Sequence, residues 1–445
     1  MYRDLTKGSI ARALLLFALP MIAGNMLQQL YNIADTLIVG RVLGSNALAA
    51  VGSAYTLMTF LTSIFLGLSM GSGALFSIYL GRGDRASLKS AIVHAFVLIM
   101  TVTLVLNVLV YVCLNPILAF LQVPTEVWDG MRDYLLVIFA GLIATSLYNF
   151  FSSLLRALGN STAPLVFLAV SAVLNIGLDL LFVAVLPWGI QGAALATVIA
   201  QYVSGVGMML YVLFRCRDLL PGRGEVHFSR PILKEITNLS TLTCVQQSVM
   251  NFGILMVQGL VNSFGPTVMA AFAAAVKIDT FAYLPVQDFG NAYSTFVAQN
   301  YGAGDLQRIR KGTRQAFLLS GAFSAVISLA VFLLAEPLMG IFVRAEETAV
   351  IAAGVQYLRI EGACYVGIGF LFLLYGYYRA IKRAEMSVVL TVISLGMRVL
   401  LAYVLSAVIG EVGIWLAIPI GWVLADVVGL VYMWKKPLRF SEAAG

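Results

Sequence analysis

Charge is what this chain has least of. Only 11% of its 445 residues are Asp, Glu, Lys or Arg, while 60% are hydrophobic. A soluble domain carries about 25% charged residues, so a water-soluble globule is excluded and a polytopic membrane protein is implied. Histidine is nearly absent: His94 and His227 are the two, without metal-ligand spacing. Four cysteines (Cys113, Cys216, Cys244, Cys364) are scattered with no Cys-x-x-Cys, three of them within helical runs. Neither a disulfide framework nor a metal site is indicated by these cysteines, and no cofactor is expected. No His cluster, nucleophile elbow or metal motif supports an integral membrane enzyme. Period-two alternation is missing too, which rules out a membrane barrel.

What is present is a series of apolar runs, each long enough to cross a ~30 Å hydrocarbon core as helix. Twelve are predicted, at about 12–40, 47–80, 88–115, 130–157, 163–187, 189–214, 232–264, 268–301, 312–335, 347–379, 385–409 and 412–434. The fold class is thus all-α, with twelve transmembrane helices. The opening stretch MYRDLTKGSIARALLLFALP has basic residues before an apolar run, as a signal peptide does. That run continues far past a 7–15-residue core and lacks a convincing cleavage site, so it reads as a retained first helix.

The net charge of +7 invites a nucleic-acid reading. With both termini cytoplasmic, all of the 28 Lys and Arg except Arg41, Arg132, Lys277, Arg344, Arg359 and Arg398 fall at cytoplasmic helix ends or in cytoplasmic loops. That is the positive-inside bias. It accounts for the basic surplus, and no nucleic-acid partner is expected.

The chain repeats itself. Gly81-Arg82-Gly83-Asp84 matches Gly302-Ala303-Gly304-Asp305 and Asn115-Pro116 matches Glu336-Pro337, each shifted by 221 residues. Arg156-Ala157 matches Arg379-Ala380 at 223, and Gly189-Ile190 matches Gly413-Ile414 at 224. The domains expected are an N-lobe at 1–215, a cytoplasmic linker at 216–231 and a C-lobe at 232–445, six helices in each lobe. An even number of spans gives parallel repeats with a cleft between them, the layout of alternating-access carriers. Gly67, Gly71 and Gly73 follow no strand and are read as close helix packing, and Arg82-Gly83-Asp84 as a cytoplasmic turn.

Polar residues inside the oil then stand out. Asn25, Gln28, Asn32 and Asp35 lie within an arc of about 80° on helix 1. Asn175 and Asp179 stack one turn apart on helix 5. At ~1.5 Å per residue, Asp179 sits roughly 12 Å below the outer end of its helix, and Thr197 of helix 6 comes to a similar depth. A carboxylate facing lipid costs about 2.5 kcal/mol or more, so both aspartates should face the bundle interior. Two acids together, with no base, cannot both stay ionised cheaply. A proton, or a Na⁺ taking carboxylate, amide and hydroxyl oxygens, relieves them.

The sequence resembles the multidrug and toxic compound extrusion (MATE) transporters, in their bacterial DinF-like or MepA-like branch and the wider MOP flippase superfamily. The likeness runs nearly end to end. It rests on ALPMIAGNMLQQLYNIADTLIVGRVLG in helix 1, on the NxxxD of helix 5 and on PVQDFGNAYSTFVAQNYGAGD in helix 8. It implies two pseudo-symmetric six-helix bundles and an H⁺- or Na⁺-coupled antiporter of the cytoplasmic membrane that exports organic cations or amphipathic compounds. Asp35, Asn175, Asp179 and Thr197 match the coupling site, and Pro20 matches a helix 1 proline linked to bending; proline kinks helices. Where some members carry acids in helices 7 and 10, this chain has Gln247 and Ile368, which puts coupling through the second lobe in doubt. A lipid-linked precursor or lipid flippase is the alternative. The basic cavity and two further helices expected of one are not visible.

An adaptable substrate lining needs aromatic, soft and polar side chains. Gln28, Tyr31, Asn32, Tyr148, Met250, Met256, Tyr283, Gln287 and Asp288 are the candidates. Lys277, Glu361 and Arg398 form a candidate C-lobe charge network, with Arg398 pairing Glu361 or Asp288. Asp426 has no evident partner. A monomer in the bilayer is expected.

Overall fold

The computed structural model describes residues 4–120, 123, 125–220, 222 and 228–438. His227, Arg223 and Arg439 lie outside them, as does part of the expected linker. No strand occurs among the described residues. The first half comprises α1 (Ile10–Leu43), α2 (Ser45–Arg82), α3 (Arg85–Val112), α4 (Leu114–Phe120), α5 (Thr125–Ile138), α6 (Leu142–Ala157), α7 (Thr162–Asp179) and α8 (Gly189–Arg215). The second comprises α9 (Arg230–Asn262), α10 (Pro266–Gly302), α11 (Leu306–Phe342), α12 (Thr348–Gly362), α13 (Tyr365–Ala380), α14 (Ala384–Ile409) and α15 (Glu411–Lys435). Among the described residues, eleven segments are long and apolar enough to cross a bilayer, and α12 with α13, bent by 51° at their junction, makes a twelfth if the pair is one span.

Local chemistry explains the punctuation. Gly83 sits at φ 76° as the C-cap of α2, a left-handed conformation only glycine adopts freely. Asp84 then caps α3, accepting from the Ser87 N–H at 3.0 Å. The second half reproduces this turn, with Gly304 at φ 73° and Asp305 accepting from the Arg308 N–H at 2.8 Å to cap α11. The repeat seen in the sequence is therefore a repeat of backbone geometry. Two of the cysteines sit elsewhere than expected: Cys113 and Cys364 are helix caps, Cys216 caps α8 where the linker was expected to begin, and Cys244 alone of the four lies inside a helix. A cap needs no apolar pattern of its own, so a run read through the break conceals it.

The chain divides into two compact units. Met1–Asp4 with Leu19–Cys244 makes up the first, and Leu5–Ala18 with Val245–Gly445 the second. The division falls inside α1 beside Pro20 and inside α9 after Cys244, not at the polar linker. In the first unit the early part of α9 lies flat on α2. A Cβ added at Gly71 would come within 2.5 Å of the Ser240 Cα, and one at Gly67 within 2.5 Å of the Cys244 Cα. Ser72 and Ser240 hydroxyls hydrogen-bond at 2.8 Å in that seam, and Tyr79 donates to Glu235 at 2.9 Å. In the second unit the segment before α1 is tied down by Arg308. Its guanidinium donates to the carbonyls of Leu5, Lys7 and Gly8, while Gln299 accepts from the Leu5 N–H at 3.2 Å.

Candidate cation-coupling site

The site lies in the first unit, on α1, α7 and α8. Asp179 is the last residue of α7, after which the chain continues as a wider π-helical turn, Leu180–Val185. Such turns redirect a side chain within a span and are frequent at functional sites. The Leu186 N–H reaches back to the Leu181 carbonyl at 2.8 Å, and Trp188 to Phe182 at 2.8 Å, so the wide turn leaves its backbone satisfied. Asp179 exposes 0% of its surface and Asn175 2%.

The four residues that the sequence singled out come together. The carboxyl of Asp35 on α1 lies within hydrogen-bonding reach of the carboxyl of Asp179 on α7. Asn175 donates from Nδ2 to the Thr197 hydroxyl at 3.3 Å. That hydroxyl in turn donates to the Ala193 carbonyl, one turn back on α8, at 3.1 Å. Thr197 thus holds the amide with its donor side occupied and its oxygen free. Four buried oxygens receive no hydrogen bond: Asp35 Oδ1, Asn175 Oδ1 and both oxygens of Asp179.

A knot that served only to lock helices would satisfy its members, because an unpaired buried acceptor costs about 1–3 kcal/mol and a charged one more. Here acceptors outnumber donors. The arrangement fits a proton shared by the two acids, and equally a hard cation taking carboxylate, amide and hydroxyl oxygens.

Sequence reasoning missed Tyr134. It is 7% exposed on the buried face of α5 and within electrostatic reach of Asp35, Asp179 and Tyr31. Its signal was present, since Met131, Tyr134, Leu135 and Ile138 recur at helical spacing, but that pattern reads as ordinary core. They join Val39, Ala54, Phe65, Val183 and Ala194 in an apolar cluster.

Of the proposed substrate contacts in this unit, Tyr31 bonds Gln28 and lies near Asp35, Tyr55 and Tyr148. Tyr148 donates to the Pro164 carbonyl at 3.4 Å. Asn32 is half-buried, its carbonyl taken by Thr36 at 2.8 Å. In the second unit Met250 and Gln287 are half-buried, Met256 is 39% exposed, and Tyr283 stacks on Phe372 with centroids 6.3 Å apart. Asp288, at 1% exposure, is buried in the unit's interior. That sets it apart from its half-buried neighbours Tyr283 and Gln287.

The charge network keeps the expected Arg398–Glu361 proximity and adds a further acid. Lys277 lies over the Phe342 ring, 5.9 Å from its centroid. Arg398 has two carboxyls in electrostatic reach, Glu361 and Asp279, the second of which the pairing scheme had passed over. Two polar side chains of α9 bond within their own helix: Asn251 donates to the Gln247 carbonyl at 3.2 Å and Gln258 to Asn262 at 2.8 Å.

Twelve spans in a doubled design, with convergent polar groups buried within a span bundle, define a multi-pass membrane protein. The MatE family profile matches residues 20–181 and again 243–404, two segments offset by the same 223 residues that relate Arg156 to Arg379. The chain belongs to this family of multidrug efflux transporters. It is 30% identical over 398 residues to the probable multidrug resistance protein YpnP of Bacillus subtilis, covering 88% of this chain and 87% of that one. It is 26% identical to the probable multidrug resistance protein NorM of Thermotoga maritima, covering 75% and 72%. Among solved structures, a MOP superfamily transporter from Pyrococcus furiosus shares the fold with a TM-score of 0.91 at 23% identity, covering 99% and 98%.

Proposed function

We propose that the protein is a cation-coupled antiporter of the cytoplasmic membrane, with both termini cytoplasmic. It exports organic cations or amphipathic compounds by alternating access. Inward movement of H⁺ or Na⁺ through Asp35, Asn175, Asp179 and Thr197 supplies the driving force, about 2.3 kcal/mol per charge per 100 mV plus the concentration term. The observation that carries this reading is the meeting of Asp35 and Asp179, two acids with no base beside them and three of their oxygens unbonded.

The physical sequence is short. A bound ion cancels the repulsion of the two acids and so favours one arrangement of the protein. Substrate favours the other, and exclusion of joint occupancy makes exchange obligatory. Pro20, at the division within α1, is the proposed hinge. Tyr31 bonds Gln28 near Asp35 and so links the ion site to the candidate substrate contacts of the first unit, where Tyr148 adds adaptable lining; Met250, Met256, Tyr283 and Gln287 are the candidate contacts of the second. The protein acts as a monomer.

The test is gradient-driven transport of a cationic dye in proteoliposomes. Asp179→Asn should abolish it, and a variant that transports at the wild-type rate would refute the site assignment.

A further inference from the structure

A second acid pair is buried in the second unit, on helices the first site does not use. Asp279 of α10 is 3% exposed and Glu361 of α12 5%. Tyr357 of α12 donates to Asp279 Oδ2 at 2.7 Å, and Tyr365 of α13 donates to Asp279 Oδ1. These two phenols stand on opposite sides of the 51° bend between α12 and α13, so one carboxyl group ties both arms of a broken span. The carboxyl of Glu361, one residue from the end of α12, lies within hydrogen-bonding reach of Asp279. Its Oε2 is buried and receives no hydrogen bond.

Among the described residues, four charged or titratable groups face the pair. They are Tyr357 on α12, Cys364 at the bend, Tyr365 on α13 and Arg398 on α14. The other packed elements contribute apolar or neutral groups: Val331 of α11 against Gly362, Phe272 of α10, and Trp415 of α15, whose ring stands 4.9 Å from that of Tyr357.

We propose that Asp279 and Glu361 form a second proton-binding site, built across the α12–α13 bend and separate from the pair in the first unit. Three arguments lead there. Two carboxyls within hydrogen-bonding reach of each other need a proton to make the bond. Two acids face one guanidinium, so charge balance leaves one proton to be taken up. Both oxygens of Asp279 are already occupied by O–H donors and a fixed cation stands near, which disfavours a metal ion and favours H⁺. Among the described residues the first pair has no base beside it, and its neighbours Tyr31 and Tyr134 do not hydrogen-bond its carboxyls, so it does not carry this bias toward a proton. Because Asp279 holds both arms of the bend, loading or losing the proton changes what fixes the bend.

Infrared difference spectra of the purified full-length protein after a pH step, without Na⁺, substrate or gradient, test this apart from the transport reading. The carbonyl band of a buried protonated acid should persist when Asp35→Asn and Asp179→Asn are combined. Adding Glu361→Gln should remove it and lower proton uptake by one per molecule, while adding Asp426→Asn should leave it. Tyr365→Phe, which keeps the ring, should shift the band. The proposal is overturned if the band is missing in the double variant, if it survives Glu361→Gln, or if Tyr365→Phe leaves its position unchanged.

Discussion

The carboxyl of Asp35 meets that of Asp179 in the interior of the first unit, and Asp179 exposes none of its surface. Like groups brought this close are a cost to the folded state, which under the proposed function a bound ion relieves. Replacing Asp179 by Asn should therefore raise stability by about 1 kcal/mol, the usual gain when a functional strain is removed, while transport is lost. Thermal unfolding of the purified variant without Na⁺ checks this, and a lower melting temperature would contradict it.

Thr197 acts by holding Asn175. Thr197→Ala should free the amide and weaken ion affinity about tenfold, corresponding to one lost hydrogen bond of roughly 1.4 kcal/mol. Thr197→Ser keeps the hydroxyl and should restore the wild-type value. The ion concentration for half-maximal transport is the readout.

The seam between α2 and α9 depends on missing side chains. Gly71→Ala would drive a methyl group to within 2.5 Å of backbone and should cost about 1–3 kcal/mol as overpacking. Gly52→Ala in the same helix has nothing within 4 Å and should instead stabilise by about 0.5–1 kcal/mol, the ordinary preference for Ala within a helix. Paired melting curves decide, and equal effects would contradict the close-contact reading.

Asp84 caps α3 from the loop after α2. Hydrogen bonds from Ser87, hydroxyl first and then backbone N–H, hold its carboxyl below the usual carboxylate range. A lowered value means that the cap contributes fully above the unfolded value of about 3.9 and is lost as pH falls through the folded one. Asp84→Ala should cost about 1 kcal/mol at neutral pH, with the deficit shrinking in acid. Melting temperatures across pH test both parts.

Arg308 ties the segment before α1 to the second unit through three backbone carbonyls. Arg308→Lys keeps the charge but not the fork of donors. It should leave residues 5–8 open to limited proteolysis at a rate close to that of Arg308→Ala. Wild-type resistance in the Lys variant would show that charge alone suffices.

Much of this was legible in the chain. Span positions follow from hydropathy, which the bilayer enforces along the whole length, and both glycine–aspartate turns follow from backbone chemistry that few residues can supply. Asp35, Asn175, Asp179 and Thr197 were legible because a polar group in oil has few places to point. What escaped was set by packing. The bend at Cys364 carries no proline and the apolar run resumes directly after it, so the span reads as continuous, and nothing local marks the π turn after Asp179. Tyr134 reads as core because most of its ring is core. Asp279 was passed over in favour of Asp288, as spacing along α10 does not reveal which acid meets Tyr357 and Tyr365. The division of α1 and α9 between units was hidden because each is one unbroken helix.

The claim that the acid pair of the first unit is relieved by an ion which substrate displaces can be tested directly. Binding of a lipophilic cationic dye to the detergent-solubilised protein should release bound H⁺ or Na⁺ into weakly buffered solution. The account predicts release in step with dye binding in the wild type and none from the combined Asp35→Asn, Asp179→Asn variant. Dye binding that releases nothing from the wild type, or equal release from both proteins, would contradict it.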